Sequence, residues 1–433
     1  MEAKVVNPKR IVIGATGSAC GKTSISSALM YMLNKKMEVH AFKCGPDYID
    51  PMYHKSILSV ESKNLDSFFM SEELMKASFL DGAGEMNIIE GCMGLYDGIG
   101  VSSKASTYEV ASILNAPIML IVDCHGMGAS ILAVIKGFLE EDSNKLIKGV
   151  FLNKISHNFY DKIKPVIEEK TNIKVLGFLP RMREDISIKS RHLGLLLPNE
   201  VDANSKLEEL ATSLEDNFDM ASFLEIAASG GQIQEAKDIC SYAISDFKGK
   251  KVLVARDEAF CFYYDDNFKA FEYSGAAIEY FSPLRDKRIP DEVDIIYLGG
   301  GYPENHLKEL SDNKEMLQSI KDYVDKGGRL LAECGGFMYL CSEVDGKSLA
   351  GIFEDKAYRT KGLVRFGYVT ARYKDMTFKG HEFHHYDVEN PGREFSLEKA
   401  STMEKYEAVR RYKNCIAGFP HFYLLGIDIN KLF

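Results

Sequence analysis

The sequence predicts an α/β protein made of two domains, each built around a largely parallel sheet. The chain has 433 residues, which is more than one hydrophobic core usually supports. Short apolar strands alternate with helical patterns, as expected where crossover helices connect parallel strands. This alternation stops over a polar, helical stretch from about residue 199 to 249 and then begins again. We therefore predict one domain at residues 1–235 and a second at residues 236–433.

The two alternating series predict nine strands. In the first series, a helix at Ser24–Leu33 follows the first strand. The predicted strands of that series are Ile11–Ile13, Val39–Phe42, Met86–Glu90, Ile118–Val122 and Gly149–Leu152. Those of the second series are Lys251–Ala255, Ala277–Phe281, Ile295–Leu298 and Arg329–Ala332.

Composition excludes several classes of protein. Apolar residues make up 45% of the chain and charged residues 27%, so widespread disorder is not expected. A net charge of −10 disfavours a nucleic-acid surface, and no apolar run approaches the roughly 18 residues of a membrane helix. The nine cysteines show neither CxxC pairs nor metal-ligand spacing, which argues against disulfides and zinc. We expect a cytoplasmic protein without a signal segment, whose partners are small molecules.

The segment Ala15–Thr23, ATGSACGKT, predicts a phosphate-binding loop between a strand and a helix. Gly17 and Gly21 let backbone N–H groups converge on phosphate, where the helix N-terminus adds partial positive charge. Lys22 would neutralise the terminal phosphates, and the Thr23 hydroxyl suits Mg²⁺. The spacing departs from the usual pattern at its first glycine position, where a threonine stands.

Acidic side chains follow two strands of the first series. Asp47 and Asp50 come after the second strand, and Glu90 and Asp97 lie at and after the third. Ligands of open parallel sheets bind beyond the carboxyl ends of strands, and carboxylate oxygens suit Mg²⁺. These residues are therefore candidates for a nucleotide and metal site, with ordinary turn chemistry as the alternative for each.

The segment Arg329–Leu340, RLLAECGGFMYL, predicts that Cys334 lies on a sharp turn between an apolar strand and an amphipathic helix. At such a turn the sulfur is exposed, and the helix N-terminus favours the thiolate. The Gly335 N–H is then placed to stabilise an oxyanion. A second glycine-rich bend, with Gly300 and Gly301, follows an upstream strand and would complete an oxyanion hole.

A thiol nucleophile also needs a base, and four histidines are candidates. His421 lies in GFPHFY, whereas His381, His384 and His385 lie in GHEFHHY. The pattern alone does not decide which imidazole reaches the thiol.

Several motifs resemble those of the cobyrinate a,c-diamide synthase family. In the first half these are KCGPDYIDP, EGCMGLYDG and RHLGL at Arg191–Leu195. In the second half they are VARDEAFCFYY, GGGYPE, AECGGFMYL and GHEFHHY. The resemblance implies a phosphate-loop synthetase domain, similar in fold to dethiobiotin synthetase, followed by a flavodoxin-like class I glutamine amidotransferase domain.

For the synthetase half, the resemblance implies ATP as co-substrate, Mg²⁺, and a tetrapyrrole carboxylate activated as an acyl phosphate. Carried over by position, Lys22 contacts phosphates and Asp97 lies near the reacting carboxylate. Asn153, with Lys154 after it, is placed near the nucleotide base, with an ordinary loop as the alternative. The implied metal ligands are Thr23, Asp47 and Glu90.

For the amidotransferase half, the resemblance implies that Cys334 is the nucleophile and His421 its base. His381, His384 and His385 are then substrate-side or structural residues. Class I enzymes usually carry a Glu two residues after the histidine, or a second His in the cobyrinate type, but Tyr423 stands there. The third member of a triad is therefore missing from its usual position.

The function implied is ATP-dependent amidation of the a- and c-acetate carboxylates of cobyrinate with glutamine or ammonia, in cobalamin biosynthesis. Ni-sirohydrochlorin and hydrogenobyrinate are alternative acceptors, and a catalytically silent nucleotide-binding regulator is the alternative from another class. The oligomeric state that we consider for this chain is a homodimer. Basic candidates for holding the acceptor's carboxylates are Arg181, Arg183, Lys189, Arg191, Arg359, Arg365 and Arg372.

Overall fold

The computed structural model describes residues 7–181, 203–233 and 236–433. The chain divides into two compact units between Lys237 and Asp238. Each unit has its own parallel sheet flanked by helices, which confirms the predicted α/β fold class. The RHLGL motif and three of the basic candidates, Arg183, Lys189 and Arg191, lie outside the described residues. Among the residues that are described, no helix is both long and apolar enough to cross a membrane.

The first unit contains a seven-stranded parallel sheet with the strand order β3-β2-β4-β1-β5-β6-β7. Its strands are β1 (Lys9–Ala15), β2 (Val39–Cys44), β3 (Glu61–Leu65), β4 (Met86–Glu90), β5 (Ile118–Asp123), β6 (Ile147–Asn153) and β7 (Lys174–Leu179). Its helices are α1 (Lys22–Asn34), α2 (Ile49–Ser56), α3 (Glu72–Asp81), α4 (Thr107–Ile113), α5 (Ser130–Glu141), α6 (His157–Thr171), α7 (Ala203–Glu215) and α8 (Met220–Ala228).

Strand order decides which strand ends share a site. The central strand β1 lies between β4 and β5 and is buried after its first residue, with apolar side chains or glycine from Ile11 onward. In register, Glu90 at the end of β4 lies between Ile13 of β1 and Lys43 of β2. The phosphate loop leaves β1 two residues after Ile13, so the sheet itself brings Glu90 beside that loop.

The structure adds two strands, β3 and β7, that the sequence pattern does not predict. Strand β3 reads ESKNL, yet four of its five residues are buried. Its polar side chains have partners inside the unit. Lys63 pairs with Asp81 at 3.1 Å, and Asn64 Nδ2 donates to the carbonyl oxygens of Gly45 and Asp47 at 2.9 and 2.7 Å.

The second unit contains a six-stranded sheet with the strand order β20-β21-β11-β10-β8-β9, parallel except for β20. Its strands are β8 (Lys251–Ala255), β9 (Ala277–Phe281), β10 (Ile295–Leu298), β11 (Arg329–Glu333), β20 (Arg410–Tyr412) and β21 (Cys415–Gly418). The helices of the unit are α9 (Asp265–Tyr273), α10 (Leu307–Asp312), α11 (Lys314–Asp325) and α12 (Gly335–Leu340).

Two smaller sheets, absent from the sequence prediction, are formed by the chain between β11 and β20 together with β22, which follows β21. A mixed sheet has the order β13-β12-β14-β17 and an antiparallel sheet the order β19-β18-β15-β16-β22. Their strands are β12 (Cys341–Val344), β13 (Lys347–Ser348), β14 (Phe353–Arg359), β15 (Arg365–Tyr373), β16 (Met376–His384), β17 (Tyr386–Val388), β18 (Phe395–Lys399), β19 (Lys405–Ala408) and β22 (His421–Phe422). The antiparallel sheet positions His421, because β22 pairs with β16.

Candidate active sites

The phosphate loop is closed by contacts from neighbouring strand ends. Gly21 has a φ of 93°, in the left-handed region that favours glycine. A Cβ there would lie 2.5 Å from Asn153 Nδ2. The same amide donates to the carbonyl oxygen of Cys20 at 2.9 Å, so Asn153 supports the loop from the end of β6.

Lys22 is the first residue of α1 and is largely buried. Its Nζ donates to the carbonyl oxygen of Gly17 at 3.1 Å and to that of Met93. Burial lowers the pKa of Lys22, and the nearby charge of Lys43 lowers it further. Phosphate oxygens would act in the opposite direction, since a nearby anion favours the ammonium form.

Glu90 is the centre of a buried polar cluster at the end of β4. Its Oε1 accepts from Thr23 Oγ1 at 2.8 Å and from Lys43 Nζ at 2.9 Å. Its Oε2 accepts from Ser26 Oγ at 2.7 Å and lies 3.3 Å from His54 Nε2. Burial opposes ionisation of Glu90, but Lys43, His54 and Ser26 outweigh it and hold the pKa of Glu90 well below its ordinary value. Glu90 therefore stays ionised beside the phosphate loop.

Asp47 and Asp50 extend this cluster from the N-terminus of α2. Lys43 Nζ lies 2.5 Å from Asp50 Oδ2, so one ammonium bridges Asp50 and Glu90. Asp47 Oδ1 accepts the N–H groups of Ile49 and Asp50 at 2.8 and 3.1 Å. The sequence did not assign Lys43 a role, although a lysine inside the apolar strand β2 was a signal that it had a buried acidic partner.

The donor chemistry at this site fits Mg²⁺. Thr23, Asp47 and Glu90 offer hydroxyl and carboxylate oxygens next to a phosphate loop, and Mg²⁺ usually takes one or two carboxylates together with water and phosphate oxygens. Within the described residues, no three His, Cys, Asp or Glu side chains form a dedicated metal cage. The ion would thus depend on the nucleotide for part of its coordination.

Asp97 lies in the loop after β4, on the same side of the sheet. Its Oδ2 accepts the Gly94 N–H at 2.8 Å, and this contact closes a turn whose preceding residue, Met93, has a φ of 46°. Met93 contributes the carbonyl oxygen that holds Lys22, so the Asp97 turn and the phosphate loop are in contact.

The basic candidates within the described residues have different neighbours. Arg181 Nη1 lies 3.4 Å from His125 Nε2, and Arg359 ends β14. The other two have acidic partners, Glu382 for Arg365 at 3.8 Å and Glu398 for Arg372 at 3.0 Å.

Cys334 lies on a strained turn between β11 and α12. Its φ is 50° and its ψ is −105°, a conformation that side-chain-bearing residues rarely adopt. Its N–H donates to the carbonyl oxygen of Gly418 at 2.7 Å, which ties the turn to the end of β21. The prediction of an amphipathic helix after the turn was wrong, because all six residues of α12 are buried.

Gly336 allows α12 to pack against the end of β10. A Cβ at this position would lie 2.3 Å from the carbonyl oxygen of Leu298 and 2.8 Å from its Cβ, so backbone would have to move. We expect Gly336→Ala to destabilise the second unit by about 1–3 kcal/mol, the usual cost of overpacking. The measurement is the unfolding midpoint in denaturant. Gly362→Ala is the matched control, since nothing lies within 4 Å of its Cβ position, and equal midpoints for the two variants would contradict the prediction.

The three glycines predicted for the oxyanion hole meet at this turn. A Cβ on Gly335 would lie 2.8 Å from Pro303 Cδ and 3.2 Å from the Gly301 nitrogen. A Cβ on Gly300 would lie 2.4 Å from His421 Cε1 and 3.5 Å from Cys334 Cβ. The loop after β10 therefore lies against both Cys334 and His421, and the oxyanion hole stays a prediction.

Of the four candidate histidines, His421 lies against Gly300, which also approaches Cys334, and its role as the base stays a prediction. His421 is directly opposite His381 in the β16–β22 pair, and their rings stack with centroids 5.1 Å apart. Tyr264 Oη and His381 Nδ1 are 2.8 Å apart. His384 stacks on Phe419 at 4.1 Å, with its Nδ1 2.7 Å from the Tyr386 carbonyl oxygen. The fourth, His385, has its ring centroid 6.1 Å from that of Phe383.

The thiol of Cys334 is not held as a thiolate, contrary to the sequence expectation. Burial raises the pKa of Cys334 to about 12, and the Glu304 carboxylate adds to this rise. The Gly335 N–H acts in the opposite direction but does not outweigh burial. Burial also holds the pKa of His421 well below its ordinary value, with His381 contributing. The resting pair is therefore a neutral thiol and a neutral imidazole.

Glu333, which the sequence analysis did not select, is an acidic residue that contacts this pair. It precedes Cys334 directly and is 1% exposed. Its Oε2 accepts from Tyr297 Oη at 2.8 Å and lies 3.8 Å from His421 Nδ1, and its Oε1 accepts from the Phe422 N–H at 2.9 Å. Burial raises the pKa of Glu333 to about 8. The signal in the sequence was a glutamate closing an otherwise apolar buried strand.

Comparisons with known proteins agree with this geometry. Residues 11–196 match the CobQ/CobB/MinD/ParA nucleotide binding domain, and residues 251–428 match the CobB/CobQ-like glutamine amidotransferase domain. The phosphate loop falls within the first match, and Cys334 and His421 fall within the second.

Three similar curated proteins are each named cobyrinate a,c-diamide synthase. The protein from Caldanaerobacter subterraneus is 39% identical and covers 95% of this chain and 94% of its own. That from Clostridium acetobutylicum is 38% identical, covering 96% and 98%. That from Methanocaldococcus jannaschii is 40% identical, covering 88% of each. Because this identity extends over nearly the whole of both chains, the chain belongs to the cobyrinate a,c-diamide synthase family.

Proposed function

We propose that this protein is an ATP-dependent ligase that converts the a- and c-acetate carboxylates of cobyrinate to amides, with glutamine as nitrogen donor. The observation that carries the proposal is the presence of two different sites in one chain. A phosphate loop lies beside the buried Glu90 cluster, and Cys334 lies on a strained turn beside His421. The names of relatives that match along nearly the whole chain support this acceptor.

In the proposed glutaminase reaction, Cys334 Sγ attacks the side-chain amide carbon of glutamine while His421 accepts the thiol proton. An S–C bond forms, and the N–H groups near Gly301 and Gly335 stabilise the oxyanion. The C–N bond then breaks, and His421 returns its proton to the departing nitrogen, which leaves as ammonia. Water hydrolyses the thioester to glutamate. Because the resting thiol is neutral, the proton transfer and the attack must be closely linked.

In the proposed synthetase reaction, a carboxylate of the macrocycle attacks the γ-phosphorus of ATP. The bond to ADP breaks and an acyl phosphate forms, which ammonia then converts to an amide with release of phosphate. Lys22 holds the transferring phosphate, and backbone N–H groups of the loop position the nucleotide. Thr23, Asp47 and Glu90 would hold Mg²⁺, which would neutralise part of the phosphate charge. Asp97, beside the phosphate loop, is the candidate residue for positioning the acceptor carboxylate.

The deciding experiment supplies the purified protein with ATP, Mg²⁺ and glutamine together with one of three acceptors. These are cobyrinic acid, hydrogenobyrinic acid and Ni-sirohydrochlorin, and product mass counts the amides formed. We expect cobyrinic acid to receive two amides at the highest kcat/KM. A clear preference for another macrocycle would reassign the acceptor. If folded protein amidates none of the three acceptors, the ligase assignment is wrong and the alternative of a catalytically silent nucleotide-binding regulator is favoured.

A further inference from the structure

A histidine that acts as a base on a nucleophile is usually held by a third group on its other ring nitrogen. Tyr423, two residues after His421, is not that group here, because its hydroxyl donates to Asp266 Oδ2 at 2.7 Å. The question is which side chain faces His421 Nδ1.

Glu333 is the side chain that we place opposite His421 Nδ1. We propose that Glu333 is the positioning residue of the glutaminase site, holding His421 through Nδ1 and stabilising the imidazolium formed when Cys334 gives up its proton. This inference rests on the proposed glutamine-dependent function. Glu333 Oε2 lies 3.8 Å from His421 Nδ1.

The fold fixes Glu333 to both reacting residues. It is joined to Cys334 by one peptide bond, at the end of β11 and in register with Gly418 of β21. Its Oε1 accepts the N–H of Phe422, the residue after His421. A movement of either reacting residue would therefore change the geometry at Glu333.

The neighbour on the other strand offers no comparable charge. His381 stacks against His421, but burial lowers the pKa of His381 to about 3, so it stays neutral. Stacking can fix the plane of the His421 ring, whereas it cannot neutralise an imidazolium. Glu333 Oε2, 3.8 Å from Nδ1 in the resting site, is close enough to do so, and apo contacts of this kind often tighten in the reacting complex.

Because Glu333 must be ionised to act in this way, the glutaminase rate should depend on pH. Burial raises the pKa of Glu333 to about 8, so it loses its proton as pH rises through that value. The glutaminase rate should then rise over the same range. The titratable and charged groups around it are Tyr263 and Tyr297 on one side and His421, Cys334 and His381 on the other.

The test is Glu333→Gln in the full-length protein, with glutamate release from glutamine as the readout. Glutamine keeps the shape and an acceptor for the Phe422 N–H but carries no charge. We expect kcat to fall about 100-fold with KM for glutamine little changed, and the rise near pH 8 to disappear. Amidation supported by ammonia should stay near the wild-type rate. An unchanged kcat and pH profile would overturn the proposal.

Tyr297→Phe is the companion variant, because it keeps the Glu333 carboxylate but removes one hydrogen bond to its ionised form. That loss disfavours the anion, so the rise in glutaminase rate should move to higher pH. If Glu333→Gln fails to fold, Tyr297→Phe tests the proposal in its place. An unchanged pH profile of the glutaminase rate in that variant would contradict the proposal. Failure of wild-type protein to hydrolyse glutamine at all would instead count against the proposed function.

Discussion

Replacing Cys334 by alanine is expected to abolish amidation from glutamine and to leave amidation from ammonia near the wild-type rate. The sulfur is the proposed nucleophile, and neither water nor another side chain can replace its bond to the amide carbon. The synthetase residues lie in the other compact unit, where they should activate the acceptor as before. We expect at least a 1000-fold loss with glutamine, measured as amidated product by mass against a matched series with ammonium chloride at high pH.

Cys240→Ala is the matched control for this variant, since Cys240 is exposed and lies in a short 3₁₀ segment remote in sequence from β11. It should behave as wild type with either nitrogen source. If folded Cys334→Ala protein lost both activities, the assignment of the two reactions to two separate sites would be wrong. If it kept the glutamine activity, Cys334 would not be the nucleophile.

Replacing Lys22 by methionine is expected to abolish amidation from both nitrogen sources. Methionine is close to lysine in length but lacks the charge that would hold the transferring phosphate. In this structure Lys22 contacts two backbone carbonyl oxygens, of Gly17 and Met93, so its removal breaks no buried ion pair. We expect at least a 100-fold loss of ATP-dependent product while the unfolding midpoint changes little.

Lys36→Met, near the end of the same helix, is the control because this lysine is exposed. It should retain full activity. Wild-type rates in folded Lys22→Met protein would remove the phosphate loop from the mechanism. A loss seen with glutamine but not with ammonia would assign Lys22 to the glutaminase reaction and contradict its proposed role in the synthetase reaction.

Much of the first unit could be predicted because each of its signals is local. An apolar strand, a glycine-containing loop and GKT at a helix start lie within 15 residues of one another, and Glu90 closes an apolar run. Strand β3 was missed because its buried face consists of polar side chains paired to groups distant in sequence, such as Lys63 with Asp81. The pattern of hydrophobic residues along the chain carries no information about such pairs.

The chemistry of the second unit was harder to predict for the same reason. The glycines that follow Cys334 in the sequence predict the turn. The ionisation state of the Cys334 thiol, by contrast, depends on burial and on Glu304. Likewise, Glu333 and His421 are separated by 88 positions and meet only because β11 and β21 are neighbours. A motif of consecutive residues predicts the nucleophile, whereas the residues proposed to control it are brought together by the topology.

The neutral resting state of Cys334 has a consequence for the durability of the protein. Oxidants and alkylating agents react with thiolates far faster than with thiols, so a sulfur with a pKa near 12 is a poor target for peroxide. Six further cysteines also have pKa values raised by burial: Cys44, Cys92, Cys124, Cys261, Cys341 and Cys415. In the proposed glutaminase reaction, the sulfur would therefore stay in a chemically protected form between turnovers, and His421 would generate its reactive form once substrate is bound.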